Sequence, residues 1–166
     1  MSHLLFLVRH GIAEDATAEI SDAERALTAE GRRRMKEIGA GLRTIGAEPE
    51  VILTSPLLRA RQTADILRAC AAPRAKIVTF EPLENGHGPE EVISKLPRQA
   101  TEIALVGHQP SLGELASYLL TGSTALTPLP FKKGGTAAIS VSSLPPKVPG
   151  VLQWFLTPKQ LRSLTG

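Results

Sequence analysis

The chain has 166 residues, 42% of them hydrophobic, enough to fill the interior of one domain, expected over residues 1–166. Lysine and arginine number 19 against 16 aspartates and glutamates, a formal net charge of only +3, and the sparse aromatics are not interleaved with basic residues, so nucleic acid is not an expected partner. A lone cysteine, Cys70, excludes an intramolecular disulfide, and no apolar run approaches the roughly 20 residues of a membrane helix.

The first predicted element is the apolar run Leu4-Leu5-Phe6-Leu7-Val8, which breaks off at Arg9-His10-Gly11. A short run of bulky aliphatics reads as a strand buried on both faces. Its last residues then reach the carboxyl edge of a sheet, where open α/β folds keep their ligands. A cation, an imidazole and a glycine at that edge suit the holding of an anionic group beside a nucleophilic nitrogen. Gly11 is expected to let the chain turn sharply and a ligand approach the backbone. No basic stretch precedes the run, so the cytoplasm is the expected compartment. His3 is expected to be exposed at the start of the strand.

Residues 12–22 have no hydrophobic period and many turn formers, which predicts a loop over the strand edge. Arg25 lies just beyond it. Thr28 can cap a helix with Glu30 in its first turn, and Met35, Ile38, Leu42 and Ile45 make one apolar stripe. Arg32-Arg33-Arg34 falls partly on the opposite, solvated face. Val51-Ile52-Leu53-Thr54 is a second strand, and Ser55-Pro56 reads as a helix start, a cap residue followed by proline. Arg59 is thereby placed in the first turn, where free amides favour an anion and a guanidinium adds a planar donor fork. Arg61 is expected at the surface. Cys70 is read as a small core residue on the same helix.

Lys76–Phe80 is a third strand, followed by a breaker-rich loop through Glu84-Asn85-Gly86-His87 and a short helix over residues 90–96. Glu102 to His108 repeats the opening design, an apolar strand ending in glycine and histidine. Gln109-Pro110 starts a helix with Leu112, Leu115, Ala116 and Leu119 inward. If the two histidine-ending strands are parallel neighbours, His10 and His108 meet across one edge. Thr136–Val141 and Val151–Leu156 read as an antiparallel pair at a sheet edge. Strands alternating with helices imply a three-layer α/β/α sandwich, a mostly parallel sheet with an antiparallel edge.

Arg9-His10-Gly11, Arg25-Ala26-Leu27-Thr28, the stretch Ser55-Pro56-Leu57-Leu58-Arg59-Ala60-Arg61-Gln62-Thr63, and Val106-Gly107-His108-Gln109-Pro110 occur in this order. Together they resemble the signature of the histidine phosphatase, or phosphoglycerate mutase-like, superfamily. The short chain, the Arg-x-Leu-Thr element and the ending Trp154-Phe155-Leu156-Thr157-Pro158 look most like its SixA branch, the phosphohistidine phosphatases. The resemblance implies that a metal- and cofactor-independent phosphatase forms a phosphohistidine intermediate on His10. It carries over Arg9, Arg59 and His108 as phosphate ligands, with Arg25 and Gly11 on the substrate side. The implied substrate is phosphohistidine on a signalling protein. The alternatives are a phosphatase of small phosphate esters and, in a different class, a phosphate- or phosphoprotein-binding module without turnover.

Relatives that cleave esters place a glutamate acid two positions after the leucine that follows the third strand. Counted from Leu83, that position is Asn85, with Glu84 adjacent. An alkoxide leaving group needs a proton, whereas imidazole can leave already protonated, so the missing acid suits a phosphoramidate. His87 is expected to be solvated at the pocket rim.

Overall fold

The opening apolar run becomes β1 (His3–Arg9) in a computed structural model that describes residues 1–164. Residues 165 and 166 of the expected domain lie outside the described residues. After β1 come α1 (Ala29–Thr44), β2 (Val51–Thr54), α2 (Leu58–Cys70), β3 (Lys76–Thr79), α3 (Pro89–Ser94), β4 (Glu102–Gly107), α4 (Ser111–Thr121), β5 (Thr136–Val141), β6 (Val151–Leu156) and α5 (Pro158–Ser163). They build one six-stranded sheet in the order β3-β2-β4-β1-β5-β6. β3, β2, β4 and β1 are mutually parallel, and β5 runs antiparallel to both β1 and β6.

Successive side chains of a strand point to opposite faces, and here both faces are apolar. Leu5 and Leu7 pack with Leu53, Ile103, Leu105 and Ile139 beneath residues of α3 and α4 such as Val92, Leu112 and Leu115. Phe6 and Val8 pack with Ile52, Ala104 and Val106 beneath Met35, Ile38, Leu42, Leu67 and Leu161 of α1, α2 and α5. Each such Leu, Ile, Val, Phe or Met side chain taken from water is worth about 1.5–3 kcal/mol, so the helices are held on both sides and the expected α/β/α sandwich results.

Three local expectations are corrected. His3 is buried, not exposed, because its Nδ1 lies 2.8 Å from the Ala100 carbonyl oxygen. The stripe of α1 ends at Leu42, since Ile45 follows the last helical turn and is exposed. The second helix begins at Leu58, with Leu57 rather than Ser55 as its cap. Ser55 instead prolongs the pairing of β2 with β4, its N–H donating to the Val106 carbonyl at 3.0 Å. The helix starts two residues too late for Ser55 to cap it, and the Ser55 oxygen accepts only the Leu57 N–H ahead of the first turn, at 3.2 Å. Thr28 does cap α1, accepting the Gly31 N–H at 2.9 Å. Cys70 is half-buried against α1, where a Cβ on Gly39 would come within 2.7 Å of its own Cβ.

Candidate active site

β1 and β4 are parallel neighbours in a register that sets Arg9 opposite Gly107. His10 and His108 therefore leave the same carboxyl edge, with ring centroids 5.1 Å apart and planes tilted by 54°. On the other flank of β4, the chain passes from β2 through Ser55 into α2, whose second residue is Arg59. Gly134, at φ +87°, closes the arrangement opposite. Its N–H donates to the Arg9 carbonyl at 2.9 Å and the Arg9 N–H donates to the Gly135 carbonyl at 3.1 Å. A side chain at 134 would be strained by that φ and would meet Ile38 Cδ1 at 2.6 Å.

His10 is buried, and its Nδ1 donates to the Gly11 carbonyl at 2.7 Å. That bond fixes the tautomer and leaves Nε2 with a free lone pair, which accepts from Arg59 Nε at 3.4 Å. Burial above all, with His108, Arg59 and Arg9 adding positive charge, lowers the His10 pKa to about 3 against a raising effect of the Gly11 bond. The ring is consequently neutral across the physiological range, and its Nε2 lone pair is able to act as a base or a nucleophile.

His108 is held by its other nitrogen. Its Nε2 lies 2.7 Å from the Ser55 hydroxyl, while its Nδ1 is buried with no partner among the described residues. The Ser55 oxygen already accepts the Leu57 N–H at 3.2 Å. Its own hydrogen has Nε2 as acceptor, and a proton on Nε2 would leave that hydrogen buried without one among the described residues. With the Ser55 hydroxyl as donor, the neutral ring carries its proton on Nδ1, a buried N–H that an entering oxyanion would satisfy. Neutrality itself follows from burial first and the nearby Arg59, Arg9 and Arg25, which outweigh Asp22 and lower the pKa to about 4.

The cations surround these rings unequally. Arg59 is buried. Arg9 donates from Nη1 to the Phe131 carbonyl at 2.9 Å and keeps a buried Nε without partner among the described residues, and burial lowers its pKa. Arg25 lies further out, bonded to the Glu14 carbonyl and, at 2.9 Å, to Asp22. Asp22 also engages Arg59, accepting from Nη1 at its carbonyl (2.8 Å) and from Nη2 at Oδ2 (3.3 Å).

Gly11 is held closely on two sides. Its N–H is taken by Thr63 Oγ1 at 3.1 Å and its φ is not positive, so the left-handed freedom of glycine is not used there. A Cβ there would lie 2.7 Å from Met35 Cγ, so any larger residue would have to displace the Met35 side chain of α1. Asn85 is tied to the start of α4, donating to the Gln109 carbonyl at 3.1 Å and accepting the Ser111 N–H at 3.3 Å. Glu84 caps a short 3-10 turn, and no side-chain hydrogen bond joins it to the site among the described residues. His87 is half-buried with Nδ1 2.9 Å from Glu91, and Arg61 is exposed.

The sequence reading missed Ser55 and Asp22 as parts of the site. Ser55 had a signal in standing beside the Arg59 motif, and Asp22 in standing three residues before Arg25. No group of three or more His, Cys, Asp or Glu side chains able to hold a metal ion occurs among the described residues. No helix among them is long and apolar enough to cross a membrane.

Comparison with known proteins agrees with this geometry. Residues 5–85 match the histidine phosphatase superfamily (branch 1). An uncharacterised protein of Picosynechococcus sp. is 40% identical over 125 residues, 72% of this chain and 74% of that one. The fold is similar to that of the protein histidine phosphatase SixA complexed with tungstate, with a TM-score of 0.83, 25% identity and coverage of 95% of this chain and 99% of that one. It is also similar to a proposed phosphohistidine phosphatase SixA of Agrobacterium tumefaciens, with a TM-score of 0.76, 25% identity and coverage of 94% and 98%. With the two histidines and the arginines of its motifs gathered at one sheet edge, the chain belongs to the histidine phosphatase superfamily and is a phosphatase of that type.

Proposed function

We propose that the protein is a phosphohistidine phosphatase that works through a covalent intermediate on His10. The observation that carries the reading is the state of His10: a neutral imidazole, anchored through Nδ1, with its Nε2 lone pair aimed at Arg59. Phosphoryl transfer asks mainly for in-line positioning and charge stabilisation. When a phosphoryl group enters, Arg59 exchanges its contact with Nε2 for a phosphoryl oxygen, and Nε2 attacks phosphorus. The bond to the leaving group breaks, and water later attacks the phosphorylated His10 to release inorganic phosphate. Arg9 and Arg59 carry the negative charge of the oxygens, His108 donates its Nδ1–H, and Arg25 extends the positive field outward.

Phosphohistidine is the favoured substrate because the position where an ester-cleaving relative keeps its acid is Asn85, an amide engaged with the start of α4. Such a group cannot protonate an alkoxide. Imidazole leaves without that help. The likeness to a protein histidine phosphatase points the same way. The proposed location of the whole activity is a single domain, with the substrate carried on a signalling protein. Steady-state rates on a phosphohistidine peptide and on a sugar phosphate test the reading. A kcat/KM higher by about tenfold or more for the peptide is expected, and a preference for the sugar ester overturns it.

A further inference from the structure

One acid already stands among the cations of the site. The Asp22 carboxylate bonds Arg25 Nη1 at 2.9 Å and Arg59 Nη2 at 3.3 Å, and its side chain is 62% exposed where that of Arg59 is 8% exposed. The Nε of the same Arg59 donates to His10 Nε2, 3.4 Å distant. One guanidinium thus bonds both the exposed carboxylate and the His10 nitrogen. Arg25 first, then Arg59, holds its carboxyl below the usual range, so Asp22 accepts hydrogen bonds and has no proton to give. An anionic acceptor there repels an alkoxide or a substrate bearing further negative charge. It attracts a leaving group that carries an N–H.

We infer that Asp22 is a substrate-selecting residue that accepts a hydrogen bond from the ring N–H of the substrate phosphohistidine, keeping protonated the ring nitrogen that is not bonded to phosphorus. The inference rests on the phosphohistidine reading above and adds to it a residue that does the discriminating. In the step concerned, the lone pair of His10 Nε2 forms the new N–P bond. The electron pair of the breaking P–N bond returns to the substrate ring nitrogen. The other ring nitrogen retains its proton, so a neutral imidazole departs and no external acid is consumed. Esters gain nothing from the carboxylate, because their leaving oxygen has no hydrogen to offer it.

The test is the substrate selectivity of Asp22→Asn, which keeps the shape and the hydrogen-bonding oxygen but removes the charge, read with a 3-phosphohistidine peptide and with p-nitrophenyl phosphate. Thermal unfolding of the variant verifies that this exposed substitution leaves the fold intact. The expected result is a kcat/KM for the peptide lowered by about tenfold or more and a kcat/KM for p-nitrophenyl phosphate raised. Equal losses on both substrates overturn the inference by reducing Asp22 to a support for Arg59. Equal gains overturn it by making Asp22 a mere competitor for the phosphoryl site. A wild-type protein that hydrolyses p-nitrophenyl phosphate but no phosphohistidine defeats the substrate reading itself, whereas peptide hydrolysis with selectivity unchanged in Asp22→Asn defeats only the role of Asp22.

Discussion

His10 and His108 leave the ends of adjacent parallel strands, one residue past Arg9 and Gly107, which face each other in the register, and both are buried and neutral. What separates them is the nitrogen that the scaffold takes. At His10 a main-chain carbonyl accepts the Nδ1–H and leaves the Nε2 lone pair to face Arg59; at His108 a serine hydroxyl faces Nε2 and leaves Nδ1 without partner among the described residues. In the proposed mechanism the same side chain on the same structural unit thus serves as a nucleophile in one case and as a donor to an oxyanion in the other. Local hydrogen bonding assigns the roles, and strand position only delivers the rings.

If that assignment is right, the two histidines are not equivalent on removal. His10→Ala is expected to lower kcat by at least about a thousandfold, because no other group supplies the attacking lone pair. His108→Ala should cost about a hundredfold, the scale of one lost oxyanion donor. Losses of equal size, measured under substrate saturation, would break the distinction.

Acid should treat the two rings alike. Each is neutral when folded, with a pKa of about 3 for His10 and about 4 for His108, against roughly 6.5 in an unfolded chain. Below about pH 6.5 the unfolded chain binds protons that the folded one refuses, so the stability contributed by burying neutral rings is complete above that pH and is lost as pH falls toward 4 and then 3. Each histidine adds a slope of at most about 1.4 kcal/mol per pH unit in that window. Urea unfolding at pH 7 and pH 5 reads this directly, and His108→Asn should flatten the difference by one ring's share.

The smallest effect sharpens the comparison most. Ser55→Ala removes the hydroxyl that holds His108 Nε2 and should lower kcat by about tenfold, the worth of one buried hydrogen bond and the tautomer it selects. Nitrogen-15 NMR of His108 supplies the readout that a packing defect would not move. The wild-type protein should show a protonated Nδ1, and the variant a mixture with protonated Nε2.

Much of this architecture was readable from residue pattern. Two apolar strands ending in Gly or Arg plus His announced the sheet edge, Thr28 announced α1, and the run before Arg59 placed that arginine in a first helical turn. The parts that escaped are contacts between residues far apart in the chain. A Ser-Pro pair has the same local appearance whether the hydroxyl caps a helix or, as here, reaches a histidine 53 positions later. His3 looked like a surface residue because Ala100, whose carbonyl it meets, is 97 positions away. Asp22 sat in a stretch without period, and only the packing of its loop against α2 brings it to Arg59, 37 positions on.

The central claim is that His10 Nε2 becomes bonded to phosphorus during turnover. Rapid quenching of the enzyme with phosphorus-32-labelled phosphohistidine peptide, followed by mapping of the label, tests it most directly. The account predicts a label on His10 that is lost in acid, persists in alkali and is absent from His10→Ala. A wild-type enzyme that turns over the peptide at full rate yet never acquires label, or acquires it on another residue, contradicts the account.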